Sequence, residues 1–340
     1  MQIDAKMRSC WPGEMPAIAQ AAEAFGFDGL RVSETVHDPY LLLGIAAEHT
    51  RRLSLGPSVA IAFPRSPMIT AIMAWDVQHL SGGRLTLGLG SQVQAHIVGR
   101  FSTPWEAPAA RMRDYIESLR AIWRSFQEGC PLRHEGRFYR FTLITPQWNP
   151  GPIERPHVPV FMAAVGPLML RACGAVADGI YLHPLSTRKY IRDVAQTTIA
   201  TAARENKRSP EQVALSASAF VITGRNAQEI QEDAQQVKTT IAFYAATPTY
   251  RNTILKLHGW EEVGHRLSQL AREGRWQDMA SLLPEDMVKE IAVTGAWDEI
   301  GPQLVEKYGR AAQRVMVYRD FRPGEIDGFW KTLIPVVRAG

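Results

Sequence analysis

The sequence predicts an α/β fold: a closed barrel of eight parallel strands, (β/α)8, with insertions after strands four and seven. Three observations carry that expectation. Short apolar runs alternate with helical patterns, as in βαβ units around a parallel sheet. Eight such runs are present, which favours a closed barrel over a doubly wound open sheet. The length of 340 residues suits two ordinary domains or one barrel with insertions, and the eight runs decide for a single domain over residues 1–340.

In chain order the expected strands are Gln2–Met7, Gly29–Ser33, Leu53–Ala62, Arg84–Gly88, Pro159–Ala163, Gly179–His183, Ala214–Thr223 and Gln313–Tyr318. Between strands four and five, Met112, Tyr115, Ile116, Leu119, Ile122, Trp123 and Phe126 recur at helical spacing, which places them on one buried helix face. Residues 129–158 hold five of the chain's prolines with Pro159 just beyond, and read as a long loop with a short hairpin. Residues 241–290 read as a helical insertion near the substrate pocket, burying Trp260, Leu267, Leu270 and Trp276.

Composition excludes several classes of function. The chain is 46% hydrophobic and 21% charged, which is a globular balance, and 38 basic against 34 acidic residues leave a net charge of only +4. The basic residues are dispersed, so neither nucleic acid nor a membrane surface is an expected partner. Cys10, Cys130 and Cys173 lack metal-ligand spacing and fit a reducing cytoplasm, and no metal is expected. No apolar run approaches 18 residues and no signal-peptide pattern opens the chain, so a cytoplasmic location is expected.

Chemistry in such barrels sits at the C-terminal ends of the strands. Strand one ends Met7-Arg8-Ser9-Cys10 without paired histidines. Strands four and seven end without carboxylates, against a glycosidase, and only Lys6 among the lysines falls in a strand, against an imine-forming aldolase. A mouth this poor in acid–base and nucleophilic groups implies a borrowed cofactor. The turn Ala163-Ala164-Val165-Gly166-Pro167-Leu168, opening a helix, suits a phosphate. The element Gly88-Leu89-Gly90-Ser91-Gln92 allows close backbone approach, either by a ligand or by a neighbouring strand. Val93 denies it a dinucleotide fingerprint.

Four segments resemble the bacterial luciferase-like flavin and deazaflavin oxidoreductases. They are Ala21–Glu34 with its Gly26-Phe27-Asp28-Gly29 core, Leu80-Ser81-Gly82-Gly83-Arg84 running into Gly90, Val160–Pro167 followed by Cys173–Gly179, and Val293–Ile300. The similarity covers nearly the whole chain in order and is closest to the branch that uses coenzyme F420. It implies a TIM barrel with the ring against strand three, where F420-dependent members carry a non-prolyl cis peptide. The matching bond is Ser58–Val59. The implied activity is hydride transfer between the deazaflavin C5 and a small organic substrate, by a homodimer. An FMN-dependent monooxygenase and a cofactor-free binding protein on the same barrel stand as alternatives. Sugar-phosphate dehydrogenases of the family end strand two in Asp-His and follow strand four with a catalytic glutamate. This chain has Glu34-Thr35 and Val93 there, so that reaction is not expected.

Carried residue by residue, the resemblance assigns cofactor contact to Glu34, Ser58, Val59, Ser91, Gln92, His96, Ala164, Val165, Gly166 and Leu168. Glu34, His37 and His96 are the catalytic candidates, because a carboxylate or imidazole beside the ring can take or give the proton that accompanies hydride. Arg100 and His183 are candidates for holding a substrate or cofactor anion. Trp11, Phe63, Trp75, Phe243 and Tyr244 are candidates for an apolar pocket wall, with Trp75 expected instead in the core.

Overall fold

Parallel strands buried on both faces are continuous apolar runs, and the runs here fold accordingly. A computed structural model describes residues 1–340. The strands are one (Gln2–Met7), two (Gly29–Val32), three (Ser54–Pro57, resumed at Ala60–Ile61), four (Leu87–Gly90), five (Val160–Ala163), six (Gly179–Tyr181), seven (Ala214–Gly224) and eight (Arg314–Asp320). Neighbours run three–two–one–eight–seven–six–five–four, and four returns to the second piece of three. A parallel bridge from Leu55 to Leu85 helps close the ring. With the two pieces of strand three counted apart, nine parallel segments make a nearly closed barrel surrounded by helices. A further strand, Ala292–Ala296, pairs with the far end of strand seven.

Two expected boundaries shift. Strand three is not continuous: it breaks at Ser58–Val59, whose peptide is cis. Strand four begins at Leu87 instead of Arg84, because Arg84 turns its guanidinium onto the carbonyls of Ala47, Thr50 and Leu53 and ties the preceding turn to the neighbouring helix end. Close strand approach explains two glycines. A Cβ on Gly56 would lie 2.1 Å from the Thr86 carbonyl oxygen, and one on Gly88 2.1 Å from that of Pro57.

The helix Pro108–Glu128 buries Met112, Tyr115, Ile116, Leu119, Ile122, Trp123 and Phe126, as its periodicity predicts. Residues 129–158 contain a short hairpin, His134–Glu135 with Arg140–Phe141. Asp114 clips it down, meeting His134 Nε2 at 2.6 Å and accepting from the Phe138 amide at 2.5 Å. After strand seven a helix spans Ala227–Ala245, so position 241 falls inside it, and short helical pieces follow to Ile291. Leu267 is buried and Trp260 and Leu270 are half-buried, but the expectation for Trp276 is wrong. Trp276 is 47% exposed and sits over Phe243, itself exposed, on the outer side of that helix. Trp75 lies in the core, as expected. No helix is long and apolar enough to cross a membrane.

The barrel interior is polar at its lower end. Asp4 and Arg31 are buried side by side, with Arg31 Nε donating to Asp4 Oδ2 at 2.9 Å and Arg314 Nε donating to the same oxygen at 2.9 Å. That ion-paired layer is buried inside the barrel, below the C-terminal mouth.

Candidate active site at the barrel mouth

Strands three, four and five are consecutive around the ring, and their C-terminal ends form one arc of the mouth. The Ser58–Val59 bulge is tied at three of its four backbone groups. The Ser58 amide donates to the Val32 carbonyl at 2.8 Å, Ser33 Oγ donates to the Ser58 carbonyl at 3.0 Å, and the Glu34 amide approaches the Val59 carbonyl at 3.4 Å. The Val59 side chain packs on Gly90, where a Cβ would come within 2.6 Å of Val59 Cγ2. Of the two readings open to this glycine, close packing between strands is the one found.

On strand five's loop, Ala164 is buried, Val165 half-buried and Leu168 exposed. Gly166 caps the helix Pro167–Val176 with no side-chain hydrogen bond, no acidic residue in the first turn and open space where a Cβ would stand. The Tyr190 hydroxyl donates to the Val165 carbonyl and pins the loop. The first amides of the helix are thus left for an anion, which is what a phosphate requires.

Glu34 is placed beside the bulge but is committed elsewhere. Its Oε2 accepts the Ile61 amide at 2.7 Å, and Arg65 Nη1 donates to Oε1 at 2.9 Å and Oε2 at 2.8 Å. Arg65 Nη2 also holds Asp38 at 2.8 Å. A carboxylate held this way braces the bulge: three of its acceptor sites are taken and one on Oε1 is left. His37 lies on the rim against Trp11, with ring centroids 4.6 Å apart. Ser91 is half-buried, while Gln92, at φ 59°, and His96, on the short helix Gln94–Gly99, are exposed, and the His96 ring makes no hydrogen bond to the chain. Arg100 donates to the Thr35 carbonyl and covers the Phe101 ring, bridging the loops after strands two and four.

The opposite arc is aromatic. His183, just beyond strand six, stands between Tyr250 and Tyr244, with centroids 4.3 and 4.5 Å away. The Leu185 amide donates to His183 Nδ1 at 3.2 Å, and burial pushes the ring's pKa down to about 3, so the imidazole is neutral and carries its proton on Nε2. His183 thus offers this arc a hydrogen-bond donor without a charge. The Tyr244 and Tyr318 hydroxyls meet at 2.6 Å. Lys6 Nζ lies 4.6 Å from the Tyr318 ring centre and 3.2 Å from Asp320 Oδ1, and Arg8 Nε holds the other oxygen at 3.1 Å. Of the proposed pocket wall, Tyr244 is present here and Phe63 is buried beside Trp105, while Trp11 and Phe243 face outward.

Arg65, Tyr318, Tyr250 and the Lys6–Asp320 pair were not singled out from sequence. Tyr318 was findable, because it stands near the C-terminal end of the last strand. Arg65 had no local signal, since its partner is 31 positions away in the chain.

A nearly closed parallel barrel, with an open helix start and a braced bulge at its C-terminal mouth, defines the class as an α/β barrel. A family profile described as luciferase-like monooxygenase matches residues 9–314. An uncharacterised protein of Mycobacterium tuberculosis is 40% identical over 314 residues, covering 92% of each chain. A 5,10-methylenetetrahydromethanopterin reductase of Archaeoglobus fulgidus is 26% identical over 300 residues, 86% of this chain and 85% of that one. Among solved structures, the coenzyme F420-dependent tetrahydromethanopterin reductase from Methanopyrus kandleri superposes with a TM-score of 0.80 at 21% identity, covering 99% of this chain and 98% of that one. The chain belongs to the luciferase-like family, and it is an oxidoreductase.

Proposed function

We propose that this oxidoreductase uses coenzyme F420 and moves a hydride between the deazaflavin C5 and a small organic substrate. The observation that carries the reading is the arc formed by strands three to five. It sets a braced bulge next to an uncapped helix start at Gly166, which matches an elongated ligand with a planar ring and a phosphate. A putative coenzyme F420-dependent oxidoreductase of Mycobacterium tuberculosis, 28% identical over 312 residues, supports the same cofactor. When bound, the deazaflavin supplies a two-electron, hydride-transferring centre. The amides at the start of the helix Pro167–Val176 hold its phosphate, the Ser58–Val59 bulge backs its ring, and the aromatic arc keeps water from the reacting carbon. Glu34 and Arg65 act by keeping the bulge in place.

The test is a fluorescence titration of the purified protein. F420 is expected to bind at micromolar concentration and FMN not at all. Tight FMN binding with oxygen consumption would instead make the protein a flavin monooxygenase, and binding of neither would leave a barrel without a cofactor.

We also propose a homodimer through the helices Pro39–His49 and Pro67–Leu80. A helix apolar on all sides is ordinarily covered, yet Leu41, Ile69 and Leu80 are 56%, 51% and 44% exposed. Ile69, Ile72, Asp76 and Leu80 form one ridge, beside a cleft of about 410 Å³ lined by Leu41, Gly44, Ile45 and Leu80. A second copy turned by a two-fold axis would set its ridge in this cleft and receive the other in return. Light scattering is expected to give twice the chain mass for the wild type and the single-chain mass for Leu41→Lys with Leu80→Lys.

A further inference from the structure

The reading of this mouth as a hydride-transfer site leaves the substrate and the accompanying proton unassigned, and the arc opposite the bulge speaks to both. Two tyrosine hydroxyls in mutual contact hold two protons and use one between them. The Tyr244–Tyr318 contact is the only hydrogen bond either hydroxyl makes, so one O–H is left over. His183 supplies a second uncommitted donor, Nε2–H, since Nδ1 is taken by the Leu185 amide. The two donors are neighbours, with the His183 and Tyr244 rings 4.5 Å apart, and Tyr250 walls them from the side.

Lys6 and Arg8 share the one carboxylate of Asp320, which leaves a single surplus positive charge beside this arc, while Arg319 pairs with Asp233. Two neutral donors among aromatic rings, with one surplus cation nearby, suit an uncharged oxygen that gains negative charge during reaction.

Resting on the F420 reading, we propose that the Tyr244–Tyr318 hydroxyl pair and His183 Nε2–H receive the oxygen of an uncharged aldehyde or ketone, and that the tyrosine pair is the acid for its reduction. A reduced deazaflavin, when bound, would give hydride from C5 to the carbonyl carbon and release its ring N–H proton to water, which leaves it oxidised. The C–O π electrons move to oxygen, a tyrosine proton completes the alcohol, and the tyrosinate recovers its proton from water. Burial and the neighbouring Tyr244 raise the Tyr318 pKa, which keeps the Tyr318 hydroxyl protonated before the hydride arrives.

Acetophenone tests the assignment, with benzoate and phenyl phosphate as charged counterparts. Bound to the wild type, its infrared carbonyl stretch is expected to fall below its value in an apolar solvent and to move back up in Tyr244→Phe and Tyr318→Phe, which keep the rings. With reduced F420, kcat for acetophenone is expected to drop about 10²–10⁴-fold in each variant, while the F420 dissociation constant stays within about twofold. Failure of the wild type to bind F420 would sink the F420 reading. F420 binding with acetophenone left unreduced, a carbonyl stretch indifferent to the two phenylalanines, or tighter binding of benzoate than of acetophenone would overturn the tyrosine assignment alone.

Discussion

Replacing Asp4 with alanine is expected to lower the unfolding free energy by about 3–5 kcal/mol, because it strands a buried arginine. Asp4 and Arg31 are 0% and 1% exposed, and Arg314 closes on the same carboxylate. Arg31 Nε has no other acceptor, its Nη1 is unpaired already, and only Nη2 keeps a partner, Ser54 Oγ at 3.0 Å. Urea denaturation followed by far-ultraviolet circular dichroism reads the change. A loss below about 1 kcal/mol would mean that water enters the lower barrel and solvates Arg31.

The same triad sets a pH dependence. Burial works to raise the Asp4 pKa, but Arg31 and Arg314 outweigh it and hold it below the usual carboxylate value. A depressed native pKa makes the contribution complete above the unfolded value, about 3.9. It disappears as pH falls through the lower, native value. The wild type is therefore expected to lose stability below about pH 4 more steeply than Asp4→Ala does. Parallel acid-unfolding curves would remove Asp4 from the account.

Gly90→Ala is expected to weaken F420 binding about tenfold or more while leaving the barrel folded. The added methyl would meet Val59 Cγ2 at 2.6 Å, so the bulge side chain has to move. Such overpacking costs about 1–3 kcal/mol, which a barrel of this size survives. The compensating change is specific. Val59→Ala in the Gly90→Ala background removes the clash and is expected to restore most of the affinity. If the double variant binds no better than the single one, Gly90 acts on the ligand directly, and the strand-packing explanation is wrong.

The barrel itself was legible because hydrophobic periodicity is local. Strand one has the expected limits, and strands two, five, six, seven and eight lie within a few residues of theirs. The helix Pro108–Glu128 shows its buried face in seven residues at a spacing of three and four. The limits of strands three and four were misread for one reason: Ser58–Val59 and Arg84 take their conformations from partners on neighbouring strands and helices, and an apolar pattern does not record those partners.

The site divides along the same line. Gly166 followed by Pro167 announces an open helix start, since a glycine cap and a proline at the first helical position are properties of the local chain. Trp276 illustrates the opposite case. Its spacing fits a buried position, yet the helix beneath it presents Phe243 outward, and the indole stays at the surface. Glu34 was visible as a carboxylate at a strand end, but whether it is free or braced depends on Arg65, which arrives from the far side of the bulge.

By itself the sequence determined the alternation of strands and helices, the family, the absence of dinucleotide and metal-ligand spacings, and the turn fit for a phosphate. Tertiary structure alone decided which side chains meet. Closing the ring brings Lys6 to Asp320 across 314 positions, and Tyr244 to Tyr318 across 74. The physical reason is range: backbone preference and periodicity act over a few residues, whereas charge pairing and hydroxyl contacts in the mouth exist only once the last strand has docked against the first.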